Sequence, residues 1–218
     1  MNNRVDLRTV QLLCSRLCHD LIGPVGAINT AIELMGDEGG HALDVEALKV
    51  MAQSAGEASR KLAFFRAVFG VGGGQETVVQ LSDLMDLTNG FLVSSKVAPQ
   101  WDTDIPATLP GGVGRVLMLL TFLAAEALPR GGKVEIRVQT FTDGLGVACI
   151  AKGDRAILPP EIEGVLKGGT TPDELSARGI PAYVLLLLTD ENGAAAEFSV
   201  PQSGQVALAV LFSDVFPD

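Results

Sequence analysis

His19 is one of two histidines in this 218-residue chain, and its neighbours suit phosphorus chemistry. The run Arg16-Leu17-Cys18-His19-Asp20-Leu21-Ile22-Gly23-Pro24 puts a carboxylate beside the imidazole and a guanidinium one helical turn before it. A neutral imidazole nitrogen attacks phosphorus and later serves as the leaving group, and a histidine pKa near about 6.5 keeps that form available at neutral pH. The Asp20 carboxylate is expected to accept from one ring nitrogen and so fix the tautomer that leaves the other free to attack, although adjacent helix positions do not normally face each other. Arg16 is expected to neutralise phosphoryl oxygens during transfer. Pro24 lacks an N–H and crowds the carbonyl of Asp20, so a bend or loosening is predicted just past the histidine. Each residue also has an ordinary reading, as a surface histidine, a surface acid and a solvated arginine.

The elements that must position this group can be read from apolar spacing. Val10, Leu13, Cys14, Leu17, Leu21, Ile28, Ile32 and Met35 predict one amphipathic helix over 7–35. At roughly 100° per residue, His19 falls opposite that stripe and should face water. Leu12, Arg16, Ile22, Gly23 and Gly26 are expected to share its face as a partner-binding surface, because they mix apolar and side-chain-poor positions. Cys14 and Cys18 have helical spacing that suits a metal beside His19, but no fourth ligand is near and core packing is the expectation for both thiols. After the breaker run GDEGGHALD, the residues Leu48, Met51, Ala55, Ala58, Leu62, Phe65 and Phe69 alternate steps of three and four, a coiled-coil seam. Two such helices form an antiparallel hairpin that leaves apolar surface exposed, and pairing two hairpins into the four-helix bundle of a homodimer would cover it. VGGGQ at 71–75 reads as a linker, which divides the chain into a hairpin unit at 1–72 and a second unit at 73–218.

Beyond the linker the texture is that of an α+β or α/β layer domain. A strand around 76–81, a helix capped near Ser82, a strand around Trp101 and a helix over 112–128 are predicted. A hairpin turning at Asp143-Gly144 follows, then a buried helix ended by Gly193 and a second hairpin turning at Ser203-Gly204. A net charge of -10 with 16 scattered Lys and Arg argues against nucleic acid as a partner. No segment suits a membrane span or signal peptide, and three cysteines suit reduced thiols, so a soluble cytoplasmic protein is expected. Lys167-Gly168-Gly169-Thr170-Thr171 combines a cation with glycines and hydroxyls but departs from a phosphate-loop pattern and reads as a surface loop.

His19-Asp20-Leu21-Ile22-Gly23-Pro24-Val25 resembles the H-box of sensor histidine kinases, and LCSRLCHDLIGPVGAINTAIELM resembles the ChpT family of alphaproteobacterial histidine phosphotransferases more closely. The resemblance covers both helices and, more weakly, the remainder. It implies an α+β fold in which a hairpin forms a dimeric four-helix bundle and an α/β sandwich resembles the Bergerat ATPase fold of those kinases. The ATP boxes have departed from that pattern. GRVLMLLTFLAAEALPRGG stands where an asparagine-bearing helix would hold Mg²⁺, and it has no Asn and one acid, Glu126. Lys152-Gly153-Asp154-Arg155-Ala156 replaces the adenine-reading turn, and only Gly179 remains near 176–182 of the phosphate-covering loop.

The resemblance therefore implies a protein phosphotransferase that needs no ATP and no resident metal, with Mg²⁺ carried by the partner receiver domain. His19 would accept phosphate from a CckA-like hybrid kinase and pass it to CtrA-like and CpdR-like response regulators of the cell cycle. Gly23 stands where kinases with phosphatase activity carry Thr or Asn, which argues against efficient phosphatase activity. A drifted ATP-dependent kinase and a non-catalytic docking adaptor stand as alternatives.

Overall fold

The computed structural model describes residues 6–36, 41–70, 77–142, 144–171, 173–199 and 204–213. The 71–75 linker, Asp143 and Ser203 lie outside the described residues, as does part of the breaker run between the first two helices. Helix α1 spans Leu7–Gly36 and helix α2 spans His41–Phe69, and they pack along each other as the predicted hairpin. Helix α1 runs on through Pro24.

The remaining chain forms an α/β sandwich. Strand β1 (Val78–Gln80) pairs with β3 (Thr108–Pro110) in a small antiparallel ribbon. A five-stranded sheet has the order β2-β4-β5-β7-β6, from β2 (Val97–Trp101), β4 (Gly132–Phe141), β5 (Gly144–Lys152), β6 (Ala194–Ser199) and β7 (Gln205–Ser213). Only β2 against β4 is parallel, because helix α4 (Gly111–Glu126) intervenes between them and returns the chain, whereas β4–β5 and β6–β7 are the hairpins the sequence predicts. Helices α3 (Leu81–Leu92), α4 and α6 (Ile180–Glu191) complete the layers, with Gly193 at φ +62° closing α6.

Two elements escape the sequence reading. Strand β3 is only three residues long and ends in proline. Helix α5 (Pro160–Leu166) begins at a Pro-Pro pair that looks like a breaker, yet proline suits the first helical position, where its missing N–H costs no hydrogen bond. Helix α3 starts at Leu81 with Gln80 as N-cap, so Ser82 lies in the first turn and is not the cap.

Helix α4 is buried on nearly all sides. It is apolar all round because the sheet covers one side and α2, α3 and α6 the other. Gly112 marks one close approach, since an added Cβ would lie 2.2 Å from Asn192 Oδ1. The hairpin and the sandwich share a single core. Phe64 of α2 stacks on Phe91 of α3 at 4.1 Å between ring centroids, and Phe91 lies 5.5 Å from Phe122 of α4. Arg115 of α4 donates to the carbonyls of Val68 and Gly70, tying down the end of α2.

The apolar stripe of α1 divides between two surfaces. Thr9, Arg16, Pro24 and Ala31 are buried, with Leu13 and Leu17 packed at the core edge. Val10, Cys14, Ile32 and Met35 are exposed, and so are Leu48 and Leu62 of the α2 seam. Cys14 and Cys18 are thus corrected from packed to exposed thiols, because their side of α1 turns away from the other described residues.

Candidate functional site

The His19 side chain is 84% exposed, facing solvent as its helical phase predicts. Its Nδ1 lies 3.1 Å from Asp20 Oδ1, so the contact between neighbouring helix positions does form. A neutral ring carrying its proton on Nδ1 donates to that carboxylate and leaves Nε2 unprotonated toward solvent.

Asp20 is held from three sides. Its Oδ2 accepts from Arg16 Nε at 2.9 Å, the i,i+4 spacing that brings two side chains together on one helix face. Its backbone carbonyl accepts from Lys61 Nζ of α2 at 3.1 Å. That second contact answers a question posed by Pro24. The residue four positions after Asp20 would normally donate to this carbonyl, proline has no N–H to give, and the lysine of the facing helix takes its place. Lys61 is itself paired with Glu57 one turn earlier at 2.7 Å.

Arg16 departs from its expected place on the outward face. It is 9% exposed, with Nη2 donating to Glu126 Oε1 of α4 at 2.9 Å and the guanidinium 5.1 Å from the centre of the Phe122 ring. Burial, the largest single influence, pulls the Arg16 pKa down, but Glu126 and Asp20 together outweigh it and hold the guanidinium above its ordinary value. Both carboxylates and the Phe122 face lie on that side of α1, and a buried charge persists only where it is paired and hydrogen-bonded in this way. Leu12 also turns inward and packs against the shared core. Of the five expected partner-binding residues, Ile22, Gly23 and Gly26 remain exposed, and an added Cβ on either glycine would meet nothing within 4 Å.

The hairpin offers a groove next to the imidazole. His19, Asp20, Gly23, Pro24 and Ala27 of α1 face Ser54, Glu57 and Lys61 of α2. Toward the hairpin turn the groove becomes apolar, between Ala27, Ala31 and Leu34 on one side and Ala47 and Val50 on the other. Glu126, Lys61 and Phe122 are site residues that sequence reasoning did not place. The available signals were the single acid in an otherwise apolar helix, the Glu57–Lys61 spacing, and the carbonyl orphaned by Pro24. Among the described residues no group of three or more His, Cys, Asp or Glu side chains converges as a metal site. None of the described helices is long and apolar enough to cross a membrane.

Comparison with known proteins places the chain in a family. The histidine phosphotransferase C-terminal domain matches residues 81–204. Protein phosphotransferase ChpT of Brucella abortus (strain 2308) is 31% identical over 182 residues, covering 84% of this chain and 85% of that protein. A solved bacterial phosphotransferase superposes with a TM-score of 0.82 at 26% identity, covering 95% of this chain and 98% of that one. The histidine kinase AdeS of Acinetobacter baumannii aligns at a TM-score of 0.48 and 13% identity over 89% of this chain and 97% of that one. The family match to more than half of the chain, together with the ChpT relative, shows that this protein phosphotransferase belongs to the ChpT family of histidine phosphotransferases.

Proposed function

We propose that His19 is the phosphoryl carrier, accepting from an aspartyl phosphate on a hybrid-kinase receiver domain and donating to aspartates of response regulators. The observation that carries this is an imidazole 84% exposed whose Nδ1 is held by a carboxylate. Nε2 attacks phosphorus as the bond from phosphorus to the donor's carboxyl oxygen breaks, and the free carboxylate leaves with that electron pair. The ring becomes cationic as the N–P bond forms, and the Asp20 carboxylate 3.1 Å away stabilises that charge as a buried aspartate does for a catalytic histidine. The second transfer reverses these events toward a new aspartate.

The chemistry needs no ATP at this chain. Glu126, the one acid of the helix that would hold a nucleotide's metal, is engaged by Arg16 and approached by Arg178 Nε at 3.8 Å. Mg²⁺ would come with the partner's receiver domain. Gly23 offers no side chain to orient water, which supports transfer over phosphatase activity. CckA-like donors and CtrA-like and CpdR-like acceptors are the partners the family resemblance implies, and the groove beside His19 gives them an apolar strip to dock on.

The proposed assembly is a cytoplasmic homodimer. Leu48, Ala55 and Leu62 recur every seven residues and all are exposed, as are Val25 and Ile32 on α1. A second hairpin placed on these residues would remove them from water in a four-helix bundle. The test is to mix the chain with a receiver domain charged with radiolabelled phosphate and measure acid-labile label on the chain. Label is expected on the native protein and none on His19→Ala. A His19→Ala protein that binds the receiver and leaves phosphate flow unchanged would establish a docking adaptor instead.

A further inference from the structure

We propose that Glu126, on α4 of the second unit, is a positioning residue for transfer at His19, acting through Arg16 to reserve one oxygen of Asp20 for the imidazole. This rests on the reading of His19 as the phosphoryl carrier and extends the site into the sandwich.

The three contacts form a line: Glu126 Oε1 to Arg16 Nη2 at 2.9 Å, Arg16 Nε to Asp20 Oδ2 at 2.9 Å, and Asp20 Oδ1 to His19 Nδ1 at 3.1 Å. A guanidinium beside a carboxylate ordinarily takes both of its oxygens through two parallel N–H groups. Here it takes one, because its second N–H arm is drawn to Glu126. The free oxygen is the one the histidine uses. Lys61 fixes the backbone carbonyl of Asp20 from α2 and is paired with Glu57, so the contacts of the carboxylate itself decide how it turns.

The position of Glu126 supports a role beyond helix stability. It is the last residue of α4, and a carboxylate there faces the negative end of the helix dipole, an arrangement that cations and not anions favour. Arg16 at 2.9 Å and Arg178 at 3.8 Å offset that cost.

Glu126→Ala frees Arg16 Nη2 to swing onto Asp20 Oδ1, and His19 Nδ1 loses its acceptor. Two readouts on the full-length chain test this: the His19 tautomer by ¹⁵N NMR, and the rate of label uptake from a receiver domain charged with radiolabelled phosphate, with saturating rate and KM separated. Glu126→Ala is expected to lower the Nδ1–H population and cut the saturating rate about tenfold, the lower end of what losing an outer partner costs a metal-bound imidazole, with KM unchanged. Glu126→Gln should recover most of both, since its amide oxygen still accepts from Nη2. Arg16→Lys provides an arm that does not depend on removing Glu126: a single ammonium cannot span both carboxylates in the fork geometry, so the same tautomer loss is expected.

A wild-type tautomer and saturating rate in Glu126→Ala would overturn the proposal, and so would a loss confined to KM, which would make the residue part of a docking surface. His19→Ala, run alongside, separates the two levels. Label on His19→Ala would defeat the carrier reading itself, whereas a silent His19→Ala beside a wild-type-like Glu126→Ala defeats only the positioning role.

Discussion

Asp20→Asn is the sharpest perturbation available at the site, because the amide must choose between two donors. One face of the side chain meets Arg16 Nε at 2.9 Å and the other meets His19 Nδ1 at 3.1 Å. Arg16 has no acceptor capacity, and its side chain is only 10% exposed, so the amide oxygen has to face it. Turning the NH₂ group toward Arg16 instead would set donor against donor and leave a buried cation's N–H unpaired, at a cost of about 1–3 kcal/mol. The NH₂ therefore points at His19 and requires Nδ1 to accept. The proton then sits on Nε2, the nitrogen that must attack. A preference of that size corresponds to a loss of about 5–150-fold in the competent tautomer. The rate of label uptake from a charged receiver domain should fall by that factor with docking unchanged, and ¹⁵N NMR should show the Nε2–H form. Asp20→Ala is expected to be the faster variant, since it leaves the ring free to adopt either tautomer. Full activity in Asp20→Asn, or a slow Asp20→Asn whose Nδ1 still carries the proton, would refute the reasoning.

Leu62→Lys places a charge in the exposed seam of α2, where Leu62 is 54% exposed, and should yield a monomer by sedimentation with its helical circular dichroism intact; a persistent dimer would exclude this face as the interface. In that monomer Cys14 and Cys18 should take up iodoacetamide at pH 8, while Cys149, fully buried with its pKa pushed up to about 12 by burial, should react only after unfolding, as read by mass spectrometry. The hydrogen bond from Lys152 holds the Glu135 carboxyl below its ordinary pKa, against a smaller opposing effect of burial, with the charges of Lys152 and Arg137 assisting. A carboxyl depressed in the folded state adds stability above its unfolded pKa and loses it as pH falls through the folded value. The melting-temperature gap between wild type and Glu135→Gln should accordingly be present at neutral pH and close on acidification below the usual carboxylate range; a gap that widened in acid would contradict this.

The sequence carried the fold well where pattern and structure answer to the same local physics. Both hairpins of the sheet follow from alternation around glycine turns, and the end of α6 follows from Gly193, whose φ of +62° suits no other residue as well. The exposure of His19 was legible because helical phase alone fixes it. The fate of Arg16 was not. Its phase placed it within reach of the outward face, and only the Glu126 and Phe122 side chains of α4, the first a contact across 110 positions, turn that side into an interior. The same distance hid Glu126, which the sequence showed only as the one acid of an apolar helix. The stripe of α1 was legible as an apolar face, but apolar spacing does not say which of its residues this chain covers and which it leaves exposed. Lys61 was recoverable in principle, since a proline inside a helix always leaves one carbonyl needing a donor.

The aromatic cluster of Phe64, Phe91 and Phe122 fastens the sandwich to the hairpin through rings that are shared and not merely adjacent. Nothing in that shared packing needs to be taken apart for a partner to reach the exposed face of α1. In the relay proposed for it such a scaffold would be a passive conductor, and detailed balance would leave the sense of the current to the difference in phosphorylation potential between the proteins at its two ends. Depleting the upstream donor should send charge backward through the same imidazole.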